Sequence, residues 1–165
     1  MGGGRPACGV VHAPAMGLTY ACASGRGVTR NDVPVRVSTT RETSKALLAS
    51  GFPADRATRR PDPYPAFVHL DRSSHGLRRC GAAALEQSLV ADGAYDGFWE
   101  LGLAPWDLAA GVLFVQEAGG TVTDLSGHPI TLDAGEVLAS NGFLHEPLLL
   151  ALAHARALPG VDPMA

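Results

Sequence analysis

Tyr95-Asp-Gly-Phe-Trp-Glu100-Leu-Gly-Leu-Ala-Pro105-Trp-Asp107-Leu-Ala-Ala-Gly-Val-Leu-Phe-Val-Gln-Glu117-Ala-Gly-Gly-Thr-Val-Thr-Asp124 is the stretch whose reading decides the fold. Phe98 to Glu100 reads as a short aromatic strand ending on a carboxylate, and a helix opens around Pro105 with a second carboxylate, Asp107, in its first turn. Proline suits a first helical position because its φ is already helical and its missing N–H has no intrahelical partner to lose. An acid just after it meets the positive end of the helix dipole. Leu108 to Val115 is apolar nearly all round, which predicts a helix packed on more than one side, and Gly119-Gly120 supplies the left-handed residue that closes it. Two carboxylates so placed make an oxygen-rich site for a hard cation such as Mg²⁺ or for ligand hydroxyls. The same residues more commonly describe an ordinary N-terminal helix charge and an exposed strand-end glutamate.

Working outward, Arg78-Arg-Cys-Gly-Ala-Ala-Ala-Leu85 brings small residues before Leu85, Leu89 and Val90, so a helix is expected to open at Gly81 to Ala83. Exposed N–H groups at that opening suit an anion or a ligand oxygen; a tightly packed alanine-rich helix start is the plainer alternative. Earlier still, Cys8 to His12 and Thr19 to Ala23 read as a hairpin across Met16-Gly17, and Asn31-Asp32 between Val28 and Val33 reads as a second turn. Val33, Val35 and Val37 alternate with Pro34 and Arg36, a strand with one buried face and a proline that suggests a sheet edge. Ser44 to Ala49 is expected to form a short helix, broken by Gly51 and Pro53. Arg56, Arg59 and Arg60 lie in a proline-rich loop, where solvated charge is the commoner meaning and a phosphate contact the rarer one. Ala66 to Leu70 belongs to a helix running toward Ser73. After the central helix, Thr121 to Asp124 and Glu136 to Ser140 are strands and Leu144 to Leu158 a closing helix. Strands alternating with helices argue for a layered α/β core.

Composition narrows the function classes. The chain has 165 residues, 46% hydrophobic and 18% charged, which describes a globular protein with a sizeable core. A net charge of -3 gives no electrostatic case for nucleic acid. No apolar run reaches the ~20 residues that span a bilayer, Met1 to Cys8 lacks the apolar centre of a signal peptide, and Pro6 stands where a myristoylation signal needs Ser or Thr. Gly2 to Gly4 follows no strand and is read as a flexible terminus. Cys8, Cys22 and Cys80 form neither a CxxC clip nor an obvious disulfide framework, so a reducing cytoplasm is expected. The six histidines, His12, His69, His75, His128, His145 and His154, have no zinc spacing, and GxSxG, HExxH, Walker and Rossmann signatures do not occur.

Asp96-Gly-Phe-Trp-Glu-Leu-Gly-Leu-Ala-Pro-Trp-Asp-Leu-Ala-Ala-Gly, with Glu117-Ala-Gly-Gly and Val122-Thr-Asp, resembles the C-terminal signature of the inositol monophosphatase family. Arg78-Arg-Cys-Gly-Ala-Ala-Ala-Leu is similar to that family's Arg-x-x-Gly-Ser-Ala-Ala-Leu segment, and Gly25-Arg-Gly-Val-Thr-Arg-Asn with Val35-Arg-Val-Ser resembles its hairpin region. The resemblance runs from about Gly9 to Leu152. It implies an α/β sandwich of the inositol-monophosphatase or sugar-phosphatase type and a Mg²⁺-dependent phosphomonoesterase. By position Asp107 is implied as a metal ligand, Glu100 as the contact to substrate hydroxyls, and Gly81, Ala82 and Ala83 as the backbone lining the substrate pocket. Ala82 stands where the family usually has Ser or Thr, so a hydroxyl contact is lost there.

The family's upstream Glu and its Asp-Pro-(Ile/Leu)-Asp-Gly-Thr motif, which hold most of the metal site, do not occur in these residues. The resemblance therefore implies a fold truncated at the N-terminus: the remainder of a β-rich region over 1–58, a C-terminal α/β domain over 59–158 and a tail over 159–165. Three outcomes stay open: a C-terminal portion inactive alone, an enzyme completed by another chain, or a non-catalytic binding or assembly module. The expected ligand is a small phosphorylated polyol, inositol 1-phosphate first, with histidinol phosphate, fructose bisphosphate and nucleotide bisphosphates as alternatives. A homodimer or a complementing chain is the partner to look for.

Overall fold

The computed structural model describes residues 6–53, 55 and 62–157. The Gly2–Gly4 run, the Arg56, Arg59 and Arg60 cluster, the boundary between 58 and 59 and the tail over 159–165 lie outside the described residues.

Residues 8–35 fold as local hairpins. Strands β1 (Cys8–Ala13), β2 (Leu18–Ala23), β3 (Val28–Arg30) and β4 (Val33–Val35) form an antiparallel sheet in that order, so the proline-bearing β4 is an edge as its sequence suggests. The β3–β4 turn puts Asn31 and Asp32 at φ 48° and 65°, the left-handed pair that matches the twist of a tight hairpin. Asn31 is fixed by its side chain: Oδ1 accepts the Thr19 N–H at 2.8 Å and Nδ2 donates to the Gly17 carbonyl at 2.8 Å. In β1, Gly9, Val11 and Ala13 turn inward while Cys8, Val10 and His12 face out. Gly9 lets the sheet close on the next layer, because a Cβ there would meet the Phe114 ring at 3.2 Å and Ala110 at 3.3 Å.

The remaining elements are β5 (Leu47–Ser50), α1 (Tyr64–Ser73), β6 (Gly76–Arg78), α2 (Ala83–Ala91), β7 (Gly97–Leu101), α3 (Pro105–Glu117), β8 (Thr121–Thr123), β9 (Glu136–Ser140) and α4 (His145–Arg156). The strands make a mixed sheet in the order β6-β5-β7-β9-β8, with β5 parallel to both β6 and β7 and the other pairs antiparallel. Helices α2 and α3 pack on each other between the two sheets, and α1 pairs with α4 on the far face of the mixed sheet. The order of layers is thus sheet, helices, sheet, helices. Tyr20, Phe98, Leu108 and Phe114 fill the core around α2 and α3; Leu48, Leu70, Trp99, Leu138 and Leu148 fill the second core under α1 and α4.

Three local expectations need correction. Ser44 to Ala49 is not a helix: a single 3-10 turn, Thr43–Lys45, leads into strand β5. Strand β6, three residues long, has no counterpart in the sequence reading. Val33 does not share the buried face of Val35 and Val37 but is 62% exposed.

The histidine drawn into the second core is paired on both ring nitrogens. His145 bonds Ser140 Oγ through Nδ1 and Thr123 Oγ1 through Nε2, each at 2.9 Å, and burial holds its ring below the ordinary histidine value. It is a satisfied core histidine joining α4 to β8 and β9.

Candidate functional site

Three pieces of chain meet where β7 ends. Alternation along β7 turns Phe98 into the core around α2 and α3, Trp99 into the opposite core, and Glu100 back toward α2 and α3. The chain then bends through Gly102 (φ 79°) and is pinned by the Leu103 N–H on the Gly135 carbonyl at 2.9 Å before Pro105 opens α3. Asp107 stabilises that opening: its Oδ2 accepts the Ala104 N–H at 3.0 Å, and its own N–H donates to the Ala104 carbonyl at 2.9 Å. Part of the Asp107 signal is therefore helix initiation, as its position in the first turn suggests.

The third piece is the approach to α2. Gly81 has φ 75° with open space where a Cβ would stand, so glycine is required there by the backbone. Glu86, fully buried on α2, reaches back to this loop: Oε1 accepts the Cys80 N–H at 2.9 Å and Oε2 the Ala82 N–H at 3.3 Å. An internal carboxylate already holds donors that the sequence offers to an anion. Burial raises the Glu86 carboxyl above its usual value, while these N–H groups and Arg79 oppose the rise.

Next to Glu86, Gln87 ties the same helix to α3. Its Nε2 donates to the Ala83 carbonyl at 3.1 Å and to the Asp107 carbonyl at 2.9 Å, and its Oε1 is buried without a partner. Gly111 makes room for it, since a Cβ there would come within 2.5 Å of the Gln87 Cβ. Consecutive residues of α2 thus fix both the Cys80–Ala82 loop and the first turn of α3. The sequence reading singles out neither; the only signal is the polar run Glu86-Gln-Ser88 inside an otherwise apolar helix pattern.

Glu100 completes the arrangement. Its carboxyl is pushed up to about 7, first by burial, then by the negative charges of Glu86 and Asp107, with Arg79 pulling the other way. Gly51 and Glu100 line a cavity of about 20 Å³ together with Ser50, Asp62, Trp99 and Arg156, room for about one water. The sequence-predicted residues Glu100 and Asp107 are therefore brought within electrostatic reach of each other, and Gly81 to Ala83 is anchored to the same helix as their neighbour Glu86.

The donor set does not make up a magnesium site. Among the described residues no three His, Cys, Asp or Glu side chains converge to hold a metal ion. Asp107 offers one carboxylate with one oxygen already engaged, and Mg²⁺ takes six oxygens in near-octahedral geometry. What the arrangement can do is present a carboxyl that titrates near neutrality to a ligand hydroxyl, beside a second carboxylate.

The model of the inositol monophosphatase family matches residues 2–157. An inositol-1-monophosphatase of Synechocystis is 43% identical over 148 residues, which cover 90% of this chain and 52% of the relative. A putative Nus factor SuhB of Neisseria meningitidis serogroup B is 43% identical over 135 residues, 80% of this chain and 51% of the relative. The structure of inositol monophosphatase from Anabaena superposes with a TM-score of 0.90 at 42% identity, covering 96% of this chain and 62% of that one. The chain spans about half the length of these curated relatives. On the family match and the identity over nearly its whole length, the chain belongs to the inositol monophosphatase family.

Proposed function

We propose that this chain carries the substrate-side part of a Mg²⁺-dependent phosphomonoesterase acting on inositol 1-phosphate or a similar polyol phosphate. The observation that carries the reading is the meeting of Glu100, Asp107 and the Gly81–Ala83 loop at the end of β7, with α2 securing the loop and the turn that bears Asp107. In this reading Glu100 meets a substrate hydroxyl, the 81–83 backbone lines the pocket, and Asp107 contributes one carboxylate to the cation. Because the described residues do not fit a complete Mg²⁺ site, the remaining ligands come from polypeptide outside them, and no hydrolytic step is assigned to these residues alone. Three free cysteines, Cys8, Cys22 and Cys80, support a reducing, cytoplasmic setting.

Phosphate release from myo-inositol 1-phosphate, with and without Mg²⁺, tests this in the chain and in Asp107→Ala. The folded chain alone is expected to give no metal-dependent turnover, and a polypeptide supplying the missing carboxylates to restore it in the parent but not in the variant. Metal-dependent release by the chain alone, lost in Asp107→Ala, overturns the incomplete-site reading.

A second reading, a non-catalytic assembly module, is favoured by the similarity to proteins named Nus factors. It predicts that complementation yields a stable complex without phosphatase activity.

A further inference from the structure

Two glycines border the site for different reasons. Gly81 is there for its backbone, at φ 75° with empty space around the missing Cβ. Gly51 is buried just beyond β5, and its φ lies outside the left-handed region, so its backbone would accept any residue. What a side chain would meet is Glu100: a Cβ on Gly51 would overlap the Glu100 carboxyl carbon and both its oxygens, so the carboxyl would have to swing out of its place. The strand register accounts for the encounter, since Ser50 pairs with Trp99 and the next residue of each strand falls alongside.

We propose that Gly51 is the positioning residue of Glu100, its missing side chain opening the slot in which the Glu100 carboxyl is packed. A slot is needed there because the carboxyl sits among the like charges of Glu86 and Asp107, and a long flexible side chain so placed swings toward water unless walls confine it. The consequence for substrate hydroxyls rests on the reading of Glu100 given above; the positioning itself does not, and its test requires no turnover.

The test is carboxyl ¹³C NMR of glutamate-labelled protein, with the Glu100 signal assigned by its loss in Glu100→Gln. In the parent Glu100 should titrate near the value of about 7 that its surroundings impose. Gly51→Ala displaces the carboxyl toward solvent, and the midpoint is expected to fall by roughly one pH unit or more, with the other glutamate signals in place. A double-mutant cycle at pH 5, where the raised Glu100 carboxyl is protonated and its displacement relieves no charge repulsion, supplies the second arm: Gly51→Ala lowers the melting temperature when Glu100 is present and leaves it nearly unchanged in the Glu100→Ala background, where the methyl has room. Should Gly51→Ala fail to fold, recovery of folding in the Glu100→Ala background supports the proposal and failure in both overturns it. An unshifted Glu100 midpoint, or an equal loss of stability with either side chain at position 100, also overturns it. Failure of a polypeptide carrying the missing carboxylates to restore phosphatase activity to the parent would count against the function proposed above and leave this inference standing.

Discussion

The mixed sheet has helices on both faces, α2 and α3 on one and α1 and α4 on the other, whereas among the described residues the antiparallel sheet has helices on one face only. The strands record the difference. In β9, Val137 to Ser140 are buried without a break, while β1 alternates from Cys8 to Ala13 between exposed and partly buried residues. A strand covered twice has no polar side to show, and one covered once must show it. The site lies where the two conditions meet, at the end of a doubly covered strand and against the helices shared by both sheets.

The contrast breaks most visibly in the core. Phe98 on β7 is fully buried, and Phe98→Ala is expected to cost about 3–5 kcal/mol, read as a lower urea midpoint with unchanged slope. A loss under about 1 kcal/mol would mean that the mixed sheet is not packed on both faces in solution.

The two faces of the mixed sheet also titrate in opposite senses, which sharpens the comparison. Glu100 is raised in the folded state, so its contribution is fully present below the ordinary carboxylate value and is lost as pH rises through about 7. His145 is lowered, so its contribution is present above the ordinary histidine value and is lost as pH falls. Glu100→Gln should therefore unfold at higher urea than the parent at pH 8, by about 1–2 kcal/mol once the partial exposure of the carboxyl is discounted, with the gap closing toward pH 4. A parent whose stability climbs steadily to pH 8 would contradict the raised Glu100.

The smallest effect belongs to the uncovered face. Val10 is 66% exposed on β1, and Val10→Ser should change stability by less than about 0.5 kcal/mol. A loss as large as that of the core variant would show that this face is covered in solution.

Much of this organisation is legible in the sequence. The aromatic strand into Pro105, the two hairpins, β9 and α4 follow from patterns that local physics enforces: a proline at a first helical turn, Asn31 and Asp32 in left-handed conformation, alternation on a half-covered sheet. Strand β5 reads as a helix because Lys45-Ala-Leu-Leu-Ala is made of good helix formers, and only its place between β6 and β7 makes it extended. In the site, Glu100 and Asp107 could be found because each ends or opens an element. Glu86 and Gln87 could not: a periodic reading assigns polar helix residues to solvent, and their burial depends on the crossing of α2 with α3, made close by Gly111. Gly51 reads as a helix breaker for the same kind of reason, since the group that a side chain there would displace lies 49 positions along the chain, at Glu100.

Trp106, next to Asp107, is 80% exposed, while Trp99 is 4% exposed in the core, and the chain has no other tryptophan. The molecule therefore carries two intrinsic dyes in opposite surroundings. A water-soluble quencher should silence Trp106 and leave the bluer emission of Trp99, so that events beside Asp107 and the integrity of the core can be followed as separate colours of one unlabelled sample.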